Sequence, residues 1–126
     1  ALALIEIETG NMLEVNKAFI DLYGYSRNEI LRMKNRDFSA ESDKPPKAAQ
    51  DRSSYIPVSY HKKKDGIVFP IEIAFSVFEY QGRDVQISAI RNITERMRLE
   101  THFQRFQKSL RLEDHHHQHN ALHMYL

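Results

Sequence analysis

Residues 65–96 read DGIVFPIEIAFSVFEYQGRDVQISAIRNITER. From Ile67 to Val77 every odd position is large and apolar: Ile67, Phe69, Ile71, Ile73, Phe75 and Val77. The even positions include Pro70, Glu72 and Ser76. A period of two is that of a strand with one face in a core. Tyr80-Gln81-Gly82-Arg83 turns the chain back, and Val85, Ile87 and Ala89 are expected to face the core from the returning strand. The pattern then changes abruptly. After Ile93, Leu99, Phe103, Phe106 and Leu110 recur at steps of four, three and four, the a/d seam of about two heptads. Asn92 and Glu95 stand three apart, as a helix cap and its returning carboxylate do.

Outward from this hairpin the elements are short. Leu2 to Glu8 alternates, with Ala3, Ile5 and Ile7 on one side and Glu6 and Glu8 on the other. A turn at Gly10 leads to a second run, with Leu13 and Val15 inward, so the two form a hairpin. Asn16 is an N-cap for a helix carrying Phe19, Leu22 and Tyr23, and Gly24 ends it. Ser26 and Glu29 form a capping box that opens a second helix with Ile30, Leu31 and Met33. A further turn is expected around Phe38. Residues 39–54 hold no large apolar side chain, and Pro45-Pro46 limits them to a short helix over 47–52. Strand character resumes at Tyr55 and runs to the Asp65-Gly66 turn. His61, beside that turn, reads as a solvated residue. Five strands with short helices between the second and third indicate an α+β fold, an antiparallel sheet with helices on one face.

Three motifs in this order resemble the PAS domain of bacterial sensors, with its PAC-like C-terminal half. They are residues 16–31, NKAFIDLYGYSRNEIL; residues 62–66, KKKDG; and residues 91–96, RNITER. The resemblance covers roughly residues 1–100. It implies a five-stranded antiparallel sheet in spatial order 2-1-5-4-3, short helices on one face and a C-terminal signalling helix. It also implies a sensory or dimerising module of a multidomain signalling protein, coupled through Asn92, Ile93, Thr94 and Glu95 to a downstream histidine kinase or diguanylate cyclase. Where the family has an aspartate, this chain has Asn92, so coupling there rests on capping and hydrogen bonds and not on an ion pair. The segment before the third strand is shorter and more polar than the family's, which predicts a small pocket or none. Residues 1–93 are read as the sensor domain, 94–112 as the helix and 113–126 as a tail.

Composition narrows the function. The chain has 126 residues, enough for one domain with its own core. Its net charge of +1 gives no field that would favour nucleic acid or an anionic membrane. No apolar run reaches the roughly 18 residues of a span. There is no cysteine, which excludes disulfides, thiolate metal sites and a cysteine–flavin adduct. With no signal peptide visible, a cytoplasmic location is expected. The first residue already lies in strand-like sequence, so the chain reads as a piece of a longer protein.

No nucleophile elbow, phosphate loop or metal-hydrolase box is present, so no catalytic residue is assigned. Phe19, Tyr23, Phe38, Phe75 and Ile87 read first as core and second as the wall of a ligand pocket between helices and sheet. Haem-binding relatives carry a histidine on the helix before the third strand, and residues 39–54 contain none. No tightly bound cofactor is expected; the small-molecule ligand, if there is one, is unknown. Leu99, Phe103, Phe106 and Leu110 are candidates for a homodimer helix, against packing on their own sheet. His115 and His119 share a helix face and suit a transition metal, and EDHHHQHNAL is loosely like a phospho-accepting box. The run follows Leu112-Glu113 as a purification tag does, so a tag-derived tail is preferred and no metal site is assigned. A ligand-free protein–protein interaction domain is the alternative function.

Overall fold

A computed structural model describes residues 1–41 and 53–116, with side chains through Leu112 except at Ser53. The predicted short helix over 47–52 and most of the histidine-rich run lie outside the described residues. The chain divides into two compact units, Ala1–Ile93 and a second that begins at Thr94.

In the first unit the strands are β1 (Leu2–Glu6), β2 (Met12–Val15), β3 (Ser53–Lys62), β4 (Val68–Tyr80) and β5 (Arg83–Asn92). All neighbours are antiparallel, in the order β2-β1-β5-β4-β3, as expected. Helices α1 (Lys17–Tyr23) and α2 (Arg27–Ile30) and a 3-10 turn at Asn35–Phe38 follow β2. Asn16 Oδ1 accepts from Phe19 N at 3.0 Å, the N-cap of α1. Ser26 Oγ accepts from Glu29 N and Glu29 Oε1 from Ser26 N, so the capping box is closed on both sides. The core joins Ala3, Ile5, Met12 and Val15 of the first hairpin to Phe19, Tyr23, Ile30 and Phe38 and to Phe69, Ile71 and Ile90.

Gly24 ends α1 at φ +83, where a side chain is strained. Gly24→Ala is expected to cost about 1–2 kcal/mol in urea unfolding; a cost near zero would show that the turn can relax.

Four expectations are corrected. First, β1 stops at Glu6, and Glu6 is buried instead of facing solvent. Arg83 Nη1 donates to Glu6 Oε2 at 2.6 Å and Thr9 Oγ1 to Oε1 at 2.7 Å. The hydrogen bonds from Thr9 and then Arg83 hold the Glu6 carboxyl below the usual carboxylate range.

Second, Met12 and not Leu13 is buried in β2. Leu4 opposes Glu14 and Ile5 opposes Met12, which leaves Leu13 as the extra residue of a bulge and resets the alternation.

Third, Val85 is buried as expected, but Ile87 and Ala89 are exposed, and Gln86, Ser88 and Ile90 face the helices. Gln81 and Gly82, both at positive φ, make a two-residue turn. That turn sets Val77 opposite Gln86, Phe75 opposite Ser88 and Ile73 opposite Ile90. Register therefore decides which face of β5 is buried. The buried polar pair is satisfied, since Gln86 Nε2 donates to Ser88 Oγ at 2.7 Å.

Fourth, His61 is buried, not solvated. It stands opposite Phe69 across the β3–β4 ladder and bonds Tyr23.

The sheet face turned away from the helices carries Leu2, Leu4, Tyr55, Ala74, Phe78, Ile87 and Ala89, most of them exposed. A one-sided antiparallel sheet ordinarily puts polar residues there. In β3 the pairing shifts between Ile56 and Ser59, at Pro57-Val58.

The second unit contains α3 (Thr94–His116). It extends four residues past the predicted end at 112, since no glycine or proline interrupts residues 94–116. At about 1.5 Å per residue it is about 35 Å long.

Candidate functional site at the β5 exit

β5 is bonded to β1 on one side and to β4 on the other, and its last two residues, Arg91 and Asn92, pair with Glu72 and Ile71 of β4. Asn92 closes it in register with Ile71. Ile93 follows at 2% exposure, and its N–H donates to Pro70 O at 3.0 Å. Thr94 is already the first residue of α3. One buried residue thus separates strand from helix. Ile93 occupies the position before the first helical residue, with Asn92 one residue further back at the end of β5. Glu95 lies in the first turn, where a carboxylate favours the helix dipole, and it accepts from Arg98 at 3.1 Å.

Beside the exit lies a polar network that was not singled out from sequence. Tyr55 Oη donates to Glu72 Oε2 at 2.6 Å, and Arg91 Nε is 3.5 Å from Glu72 Oε1. It joins β3, β4 and β5 directly before the helix. The signal was present: a two-residue turn at 81–82 places Glu72 opposite Arg91. A cavity of about 450 Å³ opens here, lined by Leu2, Ala18, Leu22, Glu72, Arg91 and Asn92 among others.

The candidate pocket residues divide. Phe19, Tyr23 and Phe38 come together, with ring centroids 4.3, 5.3 and 5.2 Å apart, and Phe69 adds a fourth ring 5.5 Å from Tyr23. These rings fill the space between them. Phe75 is buried on the same face of the sheet, whereas Ile87 is 39% exposed on the opposite face and does not join them. Of the candidate dimer residues, Leu99, Phe103 and Phe106 are 61%, 60% and 55% exposed, and Leu110 is half-buried. Among the described residues no helix is long and apolar enough to cross a membrane, and no cluster of three metal-ligating side chains is present.

A solved PAS domain from a two-component sensor histidine kinase superposes with a TM-score of 0.67 at 20% identity, over 73% of this chain and 83% of that one. The PAS domain of an HTR-like protein from Haloarcula marismortui gives 0.63 at 21%, over 73% and 79%. Identities this low speak for the fold alone. In sequence, the chain is 30% identical over 93 residues to a methyl sulfide methyltransferase-associated sensor of Methanosarcina acetivorans. That match covers 70% of this chain but spans only 9% of the length of that protein. The family model for the PAS domain matches residues 2–95. With the strand order 2-1-5-4-3 this settles the family: the chain belongs to the PAS domains, and residues 2–95 are its PAS domain.

Proposed function

We propose that this domain is a sensory and dimerising module of a multidomain cytoplasmic signalling protein, passing a signal from its sheet into α3. The output domain is of the histidine kinase or diguanylate cyclase type, and the chain itself performs no chemistry. The observation that carries this is the exit of β5. Ile93 is buried and tied to Pro70, and the next residue is helical. A shift of β4 against β5 has no slack segment in which to dissipate before α3. The relative from Methanosarcina, itself a sensor, supports the same class. The sheet-to-helix signal is carried by Asn92, Ile93, Thr94 and Glu95.

The apolar outer face and the exposed seam of α3 supply contact surfaces for a homodimer. That outer face also favours the second reading, a protein–protein interaction domain that works without a ligand. No tightly bound cofactor is part of either reading, because the aromatic rings occupy their own cluster and the chain lacks cysteine.

Asn92→Ala and Thr94→Ala, made in the full-length protein, test the coupling. Output is expected to change by about 5-fold or more, the range of an ordinary coupling free energy. Unchanged output from a folded protein would leave only the interaction domain.

A further inference from the structure

We propose that the buried hydrogen bond between Tyr23 and His61 is an acid-released latch that ties α1 to the end of β3. Tyr23 Oη and His61 Nδ1 are 2.6 Å apart, and both side chains are buried. The pair bridges elements 38 residues apart in sequence. Backbone bonds converge on the same place. Lys64 N donates to Tyr23 O at 2.9 Å, Ala40 N donates to Tyr60 O at 2.9 Å, and Ser39 forms a bridge with His61.

The direction of the hydrogen bond follows from the inventory of donors. Among the described residues the Tyr23 hydroxyl has no other partner, so its proton points at Nδ1. Nδ1 is then an acceptor, and the imidazole proton sits on Nε2. A proton arriving at Nδ1 turns this acceptor into a donor, and two donors face each other. The hydroxyl must rotate, and its hydrogen then has no acceptor in the cluster. Among the described residues no carboxylate bonds the imidazolium. Among them its α1 partner is the Tyr23 phenol, Phe69 of β4 stands opposite it in the ladder, and Ser39, after the 3-10 turn, bridges to it. Its own strand continues into Lys62, and the following turn sets the Lys63 ammonium 5.4 Å from the Phe69 ring centroid. Glu29 of α2 is bonded to Lys64 at 3.0 Å, and Glu41, two residues beyond Ser39, is exposed.

Burial accordingly holds the His61 imidazole down at about 4 and pushes the Tyr23 phenol above its usual range. The sign follows from linkage. The closed form binds the proton more weakly than the open form, so closure is fully favoured above pH 6.5. It is lost as pH falls from 6.5 toward 4, about tenfold per pH unit. The signal implied is protons, a stimulus that needs no ligand pocket. The latch stands apart from the coupling of β5 to α3, because its readouts lie within residues 1–93.

Amide hydrogen exchange on the full chain tests it, corrected for the intrinsic effect of pH. The amides of Gly24, Ala40 and Lys64 are expected to lose about 50-fold in protection between pH 7.5 and 4.5. Those of Ile90 and Ile93 should lose less than 5-fold, and the pH slope should vanish in His61→Gln. Equal loss at all five amides would mean that the domain unfolds as a whole, and the latch would be refuted. The same slope in His61→Gln would also refute it. If that variant does not fold, the His61 Cε1–H resonance of the unsubstituted chain decides. A midpoint near 4 supports the latch and one near 6.5 overturns it.

Discussion

Phe38→Ala lowers the stability of the PAS domain by about 4 kcal/mol, measured by urea unfolding. Phe38 is 1% exposed and is part of the buried aromatic cluster. It makes edge contacts with Phe19, Tyr23 and Tyr25, at 5.3, 5.2 and 5.8 Å between centroids. Alanine removes the ring's transfer free energy and leaves a cavity walled by three other rings, which cannot close it without abandoning their own contacts. A domain of this size has about 5–15 kcal/mol to lose, so the variant should be close to unfolded at 37 °C. Phe78→Ala, on the outer face, provides the control and is expected to cost about 1 kcal/mol or less. Near-equal losses for the two would mean that the ring cluster is looser than its geometry.

The second large effect concerns association. The double substitution Phe103→Glu with Phe106→Glu is expected to leave the chain monomeric and to weaken self-association by more than about a thousandfold. A lone helix in water is marginal, and α3 keeps Leu99, Phe103 and Phe106 exposed. A symmetric pair of such helices would cover that stripe on both copies. Each carboxylate forced into the seam without a partner costs at least about 2 kcal/mol, and a dimer would hold four. Sedimentation across a concentration series measures this. If the unsubstituted chain is already monomeric at several hundred micromolar, the seam is not an interface.

What could be read from the sequence, and what could not, divides along local and non-local lines. The caps at Asn16 and Ser26, the end at Gly24 and the strand content of β4 are settled by side chains within four residues, and these appear as expected. The strand order was supplied by the resemblance. The misjudged positions depend on a partner strand. Ile87 and Ala89 look more apolar than Gln86 and Ser88, yet the register against β4 turns the polar pair inward. Leu13 was misplaced because a bulge is invisible without the opposing strand. His61 was placed in solvent because it adjoins three lysines, whereas Tyr23, 38 residues earlier, supplies its hydrogen bond. At the exit, the change from strand to helix within the RNITER motif is legible because the alternation of β5 stops where the charged helical run begins, and the structure places it between Asn92 and Thr94.

β3 stands last in the sheet order, and Tyr55, Ile56, Val58 and Tyr60 on it are all exposed. A straight strand of that composition would be a template for adding further chains, one after another, without limit. Pro57 has no N–H to offer an incoming strand, and the shifted pairing at Pro57-Val58 breaks the even spacing that such addition needs. Growth of a fibre from this end is thereby disfavoured, while the outer face keeps its exposed apolar side chains. The small irregularity in β3 thus makes the edge of the sheet a poorer place for another chain to attach than its apolar outer face.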